Sequence, residues 1–257
     1  MHVLITAGAT GIGRTIADEF LSKGWQVHVC DVAEQAVAEW TAGGPGRHGY
    51  VADAADARHV DDVFDRLAAV TPTLDALVNN VGIAGPTAPV ESIEPADWDR
   101  TVAVDLSAHF YSARRAIPML KRNGGGSIVS IASNAALFGL PLRAPYVASK
   151  WALIGLTKTL AMELGPFNIR ANAICPGSVR GPRIDGVIER EARWRGLSPD
   201  VVRHAYERQS SMRCFVDAAD VAQLAAFLCD PRGARISGQA IAVDGHTETL
   251  GDLTEFL

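Results

Sequence analysis

Tyr146 and Lys150 stand four residues apart in Tyr146-Val147-Ala148-Ser149-Lys150. At helical spacing, side chains four apart share one face, so an ammonium sits beside a phenol. A free phenol titrates near ~10, too high for a base at neutral pH. A neighbouring cation favours the phenolate, and a shift of ~3 units requires about 4 kcal/mol of differential interaction. Ser133 lies 13 residues upstream of Tyr146 and follows the apolar run 127–131. Its hydroxyl there can hold the oxygen whose proton is moved. Alone, a Tyr and a Lys at this spacing are usually a surface pair. Their chemical meaning depends on what else the chain places beside them.

The N-terminus supplies the other half. The run 3–6 leads into Thr6-Ala7-Gly8-Ala9-Thr10-Gly11-Ile12-Gly13-Arg14. Glycines after a strand let the backbone turn tightly and approach a phosphate. The helix that follows offers free N–H groups and a positive dipole end to a pyrophosphate. Gly8, Thr10, Gly11, Ile12 and Gly13 are the predicted contacts. A second strand ends in Asp31, 20 residues after Gly11. A carboxylate at that point accepts both ribose hydroxyls of NAD and repels a 2′-phosphate. Thr10 and Val32 supply no cation for that phosphate, so NAD rather than NADP is the predicted cofactor.

These groups must be carried by a regular scaffold. Short apolar runs at 3–6, 27–30, 76–79, 127–131, 170–174 and 240–243 read as strands. Amphipathic segments at 13–24, 33–40, 58–69, 98–120, 146–164 and 218–228 read as helices between them. Strands that are apolar throughout and alternate with helices predict a doubly wound parallel sheet with helices on both faces. Such sheets bind ligands at the carboxyl ends of their strands. One domain over residues 1–257 is expected, with a charged excursion at about 178–217 as the substrate-binding segment.

The chain carries 24 Lys plus Arg against 29 Asp plus Glu, a net charge of −5. That balance gives no general attraction to nucleic acid or an anionic membrane. No apolar stretch approaches the roughly 20 residues of a membrane span. The opening residues lack the basic region of a signal peptide. Cys30, Cys175, Cys214 and Cys229 are widely spaced and show no metal-ligand pattern. Reduced thiols, no metal and a cytoplasmic location are the expectation.

Taken together, the chain resembles the short-chain dehydrogenase/reductase family along essentially its whole length. The resemblance rests on the Gly-rich turn, on Asn79-Asn80-Val81-Gly82, on Ser133, Tyr146 and Lys150, and on Cys175-Pro176-Gly177. It implies an NAD-dependent oxidoreductase that interconverts an alcohol with a ketone or aldehyde, with the tyrosine as general acid/base. It further implies adenine contacts at Asp53 and Ala54, and cofactor contacts at Asn80, Val81, Gly82, Pro176, Gly177 and Val179. Pairing of the long helices, with Val147, Trp151, Ile154 and Leu156 on the second, implies a homotetramer.

Three positions depart from the family pattern. Ala7 replaces the turn's first glycine, whose role Gly8 is expected to share. Gly181 replaces a threonine after the Pro-Gly pair. Asp105 replaces the helix asparagine that anchors a water chain to the lysine, partly through its backbone carbonyl, which an aspartate keeps.

The substrate side is less determined. Arg143, three residues before Tyr146, and Arg183 are best placed to meet an anionic group. Phe138, Leu140, Trp194 and Tyr206 are candidates for an apolar wall, and His246 for an approach from the C-terminal side. A 3-oxoacyl-carrier-protein reductase shares these motifs, but Asp31 and the acidic balance argue against it. A regulator that senses NAD without chemistry would be expected to have lost Tyr146 or Lys150. An epimerase or dehydratase usually needs a C-terminal substrate domain.

Overall fold

In the computed structural model, residues 1–247 are described. Seven strands form one sheet: β1 (His2–Thr6), β2 (Gln26–Asp31), β3 (Arg47–Val51), β4 (Ala76–Asn79), β5 (Gly126–Ile131), β6 (Ile169–Pro176) and β7 (Ala240–Val243). Their order is β3-β2-β1-β4-β5-β6-β7, and every neighbouring pair is parallel. The order reverses between β1 and β4, which opens a crevice at their carboxyl ends.

Alternate residues of each strand feed opposite faces. Val3, Ile5, Val27, Val29 and Val129 pack with α1 (Gly11–Ser22), α2 (Glu34–Ala42) and α9 (Ala218–Cys229). Leu4, Leu77 and Ile128 pack instead with α3 (Ala57–Val70), α5 (Ala108–Arg122) and α6 (Ala144–Leu164). The doubly wound parallel sheet expected from sequence is therefore the fold.

Element ends shift by up to two residues from expectation, and two segments differ more. Helix α1 begins at Gly11, two residues before the expected start. The edge strand β3, Arg-His-Gly-Tyr-Val, carries too little apolar periodicity to be read as one. The segment 98–120 belongs to a helical stretch made of α4 (Pro95–Val102), a π turn at Ala103–Ser107 and α5. A π turn widens the helix by one residue per turn and re-aims the side chains within it. Asp105 sits in that turn.

Between β6 and α9, α7 (Pro182–Arg195) and α8 (Pro199–Arg208) lie outside the sheet. They have a core of their own, built from Val187, Ile188, Val202, Ala205, Tyr206 and Phe215.

Histidines His2, His28 and His48 line up across β1, β2 and β3. His28 is fully buried, with its ring nitrogens 3.1 Å from His2 Nδ1 and 3.0 Å from Tyr50 Oη. Its ring stacks on His48 at 4.3 Å. Burial, with His48 and His2 adding to it, pushes His28 down to about 3. His109, buried in α5, is held at about 3 for the same first reason, with Lys150 adding to it. The unfolded chain therefore takes up protons near pH 6.5 that the folded chain refuses until about pH 3. Stability is present above that window and falls as pH drops through it, by up to about 1.4 kcal/mol per pH unit for each histidine. His28→Gln should flatten this acid loss. Urea midpoints at pH 7, 5.5 and 4.5 check it, and equal pH slopes for wild type and variant would contradict it.

Candidate active site

The first turn after β1 is pinned from two sides. Thr6 Oγ1 accepts the N–H groups of Asn80 and Val81 at 3.0 and 3.1 Å. Asn80 Nδ2 donates back to Thr6 O and Ala7 O at 3.2 and 3.0 Å. The turn after β1 and the end of β4 are thus one hydrogen-bonded unit at the crevice.

The glycines divide the work differently from expectation. Ala7 itself takes the positive φ of 48°, and Gly11 one of 53°. Gly8 does not share that conformational role. Its missing side chain serves packing, since a Cβ there would lie 2.8 Å from Ile5 O and from Val29 Cγ1. At Gly13 a Cβ would fall 2.0 Å from Ala7 O and 2.5 Å from Asn80 Nδ2. The α1 N-terminus carries no side-chain cap, because Thr10 makes no capping bond. Helix N–H groups therefore face the crevice without a side-chain acceptor, as a phosphate requires.

Asp31, 7% exposed, ends β2. Its Oδ2 accepts the Ala9 N–H at 3.1 Å and its Oδ1 the Ala33 N–H at 3.2 Å. The carboxylate is fixed beside the glycine turn. Asp53 follows β3, accepts the Ala55 N–H at 2.9 Å and pairs with Arg100 at 3.4 Å. Ala54 beside it is buried.

The groups expected to react follow β5 and lie on α6. Ser133 caps a short 3-10 turn after β5, and its Oγ accepts the Ala135 N–H at 3.1 Å. Pro145 near the start of α6 fits the first helical turn, where a missing N–H costs nothing. Tyr146 follows, half-buried. Lys150, 2% exposed, donates to Ile131 O at 3.1 Å, and its Nζ lies 5.7 Å from the Tyr146 ring centre. A Cβ on Gly82 would come within 3.2 Å of Lys150 Nζ and 3.3 Å of Asp105 Oδ1, so only glycine fits comfortably there.

Asp105 is fully buried, and its Oδ1 accepts the Ile83 N–H at 2.6 Å. Its Oδ2 has no hydrogen-bond partner among the described residues. Burial raises its pKa, opposed chiefly by Lys150 and by the Ile83 N–H. The side chain therefore has a structural task that sequence alone did not reveal.

One cleft of about 680 Å³ gathers Thr10, Gly11, Ile12, Asn80, Gly82, Ser133, Tyr146, Lys150, Pro176, Gly177 and Val179. Arg143 and Arg183 line it as well. Gly8, Gly13, Asp31, Asp53, Ala54, Val81 and Asp105 are not in its wall. Of the expected apolar wall, Leu140 and Tyr206 are present, while Phe138 and Trp194 are not. Trp194 is 50% exposed, and His246 turns to Ser211 Oγ at 2.8 Å instead. Ala84, Ile184 and Val187 line the cleft without having been foreseen; they carry no polar signal.

Burial pushes the Cys30 and Cys229 thiols up to about 12 and Cys175 to about 11, so these three are inert at neutral pH. Cys214 is exposed. Among the described residues no cluster of potential metal ligands occurs, and no helix is long and apolar enough to cross a membrane.

The family model described as enoyl-(acyl carrier protein) reductase matches residues 6–246. The chain belongs to the short-chain dehydrogenase/reductase family. As a member of it, the protein is an oxidoreductase. It is 35% identical to trans-4-hydroxycyclohexanecarboxylate dehydrogenase of Sinomonas cyclohexanicum, over 97% of this chain and 93% of that one. It is 32% identical to D-beta-hydroxybutyrate dehydrogenase of Rhizobium meliloti, over 94% and 96%. The NAD⁺-bound structure of a xylitol dehydrogenase superposes with a TM-score of 0.91 at 27% identity, covering 95% of this chain and 98% of that one.

Proposed function

We propose that this short-chain dehydrogenase/reductase interconverts a small secondary alcohol and its carbonyl compound with NAD as cofactor. The observation that carries the reading is the convergence of Ser133, Tyr146 and Lys150 with the glycine turn in one cleft at the sheet's switch point. The residues present fit a dinucleotide. Gly11, in the cleft wall, has nothing within 4 Å of a would-be Cβ, and the α1 N-terminus carries no side-chain cap. Thr10, Gly11 and Ile12 would hold the pyrophosphate, Asp31 the adenine-side ribose, and Asp53 with Ala54 the adenine. Asn80, Val81, Gly82, Pro176, Gly177 and Val179 would line the nicotinamide side. A bound nicotinamide would supply the acceptor for the hydride of the alcohol carbon, and in its reduced form the donor for the reverse direction.

The chain's own groups handle the proton and the oxygen. Tyr146 Oη takes the alcohol proton in one direction and returns it in the other. Ser133 Oγ holds the same oxygen while charge builds on it. Lys150, withdrawn from water, places its amine 5.7 Å from the Tyr146 ring centre and would hold the ribose nearest to it. Asp105 is a positioning residue: through the Ile83 N–H it fixes the segment that carries Gly82.

Asp31 also decides between this reading and an NADP-linked carrier-protein reductase. In an assay of a panel of secondary alcohols with each cofactor, kcat/KM should favour NAD by at least roughly tenfold. Equal or better efficiency with NADP would overturn the assignment of Asp31. Absence of turnover with every alcohol and every corresponding ketone would overturn the reaction itself.

Phe110 on α5 and Trp151 and Met162 on α6 are large apolar side chains left exposed. They support assembly through these helices into a homotetramer. Ile154 and Leu156, expected on that outer face, pack partly against the core instead. The free cysteines support a cytoplasmic location.

A further inference from the structure

We propose that the substrate carries a carboxylate, bound by Arg143 with help from Arg183; this rests on the oxidoreductase reading of the same cleft. Arg143 is 5% exposed and occupies the N-cap position of α6, where its guanidinium, having only donors, cannot cap the helix N–H groups. Its guanidinium carbon lies 5.2 Å from the Tyr146 ring centre, beside the proton-transfer group. Nη2 donates to Ala84 O at 2.5 Å, and Nε has no hydrogen-bond partner among the described residues. Arg183 Nη1 donates to Gly82 O at 3.2 Å. Both arginines are therefore tethered to the segment that Asp105 fixes through Ile83.

Among the described residues no carboxylate pairs directly with Arg143. Arg180, Arg195 and Arg203 nearby pair with Asp217, Glu191 and Asp185. Arg143 makes no ion pair with any described residue. The charged or titratable groups that bear on it are Tyr206, Tyr146, Arg183 and Arg190, two of them further cations. Glu191 is engaged elsewhere, accepting from Tyr206 Oη at 2.7 Å and Arg195 Nε at 2.9 Å. Asp105 feels Arg143 only after Lys150, the Ile83 N–H and Arg183. A cation withdrawn from water without a counter-ion is costly. An anionic ligand in the cleft removes that cost, so the site selects for one.

The shape of the site narrows the anion. Nη2 is partly committed to Ala84, which leaves a small planar set of donors that matches the two oxygens of a carboxylate. A phosphate dianion needs more donors. Leu140, Ile184 and Val187 line the cleft with apolar surface, which suits a hydrocarbon body between the carboxylate and the carbinol carbon. The proximity of Arg143 to Tyr146 sets those two groups within a few bonds of each other. The substrate is a short or cyclic hydroxy acid and the corresponding keto acid.

The test compares hydroxycarboxylates, open-chain and cyclic, with their methyl esters, primary amides, sulfonate analogues and phosphate monoesters, using the whole protein with NAD⁺. The acid should exceed its own ester in kcat/KM by about 100-fold, the scale of two charge-assisted hydrogen bonds. Arg143→Gln should collapse that ratio to within a few-fold of unity, Arg143→Lys should restore part of it, and Arg183→Gln, altering an exposed side chain, should lower it by about tenfold. The ratio is the readout, so a general loss of rate does not mimic the effect. If Arg143→Gln fails to fold, wild type and Arg183→Gln decide the matter. Esters or amides turned over as well as acids would overturn the carboxylate site while leaving the oxidoreductase intact, and a preference for phosphate monoesters would overturn the choice of anion. Should no compound turn over, isobutyrate and isobutyramide are compared as ligands of the NAD-loaded protein by thermal shift. Stabilisation by isobutyrate alone would sustain the anion site without the reaction, and equal effects would overturn both.

Discussion

Tyr146→Phe is expected to lower kcat by at least ~10²-fold, the ordinary contribution of general acid–base catalysis, while NADH affinity stays within about threefold of wild type. The asymmetry follows from where the phenol sits. Tyr146 opens α6 and is half-buried against the cleft, so its oxygen is offered to whatever lies there. Lys150 is one turn further and 2% exposed, held by Ile131 O at 3.1 Å next to the backbone of Gly82. Lys150→Met should therefore lose both rate and cofactor affinity, if one group serves the phenol and the ribose as proposed. Ser133→Ala should lose rate alone, since its proposed task is to hold the substrate oxygen. NADH fluorescence titration combined with steady-state rates on the three variants separates these outcomes. Wild-type turnover by Tyr146→Phe would end the proton-transfer assignment.

Much of this arrangement was legible in the sequence because it depends on local spacing. A Tyr and a Lys four apart need only a helix to share a face, and glycines after a strand need only a turn. The parallel sheet was legible for a related reason: strands buried on both faces must be apolar throughout. What failed to show was whatever depends on a neighbour distant in sequence. The edge strand β3 is only partly buried, so its residues carry no core signal. Gly49 is tolerated there because α2 packs so closely that a Cβ would lie 2.3 Å from Thr41 Oγ1. The Asp105 bond to Ile83 needs the π turn, which no periodicity in the chain announces. Arg143 stood out by its distance from Tyr146. Its burial, its tether to Ala84 and its lack of an ion pair among the described residues are products of the fold.

The contact between α1 and the turn before it should be the least forgiving in the cofactor half of the cleft. Gly13→Ala is expected to destabilise the cofactor-free protein by about 3 kcal/mol or more, at or above the usual range for overpacking. For a chain of this size that corresponds to a fall of roughly 6–12 °C in Tm. The cause is geometric. A Cβ at residue 13 would stand 2.0 Å from Ala7 O and 2.9 Å from the Ala7 carbonyl carbon, and neither is the end of a flexible side chain. Relief requires α1 to move away from the turn, which misaligns its N-terminus, or Ala7 O and Asn80 Nδ2 to give way, which disturbs the 3.0 Å bond between them. NADH affinity should then drop by more than tenfold even in the molecules that remain folded. Gly11→Ala provides the internal comparison. Nothing lies within 4 Å of its would-be Cβ, but its φ of 53° is left-handed, so the cost is backbone strain of about 1–2 kcal/mol. Gly13→Ala must therefore be the more damaging of the two. If thermal denaturation ranked them the other way, conformational freedom rather than close approach would be what this turn demands of its glycines.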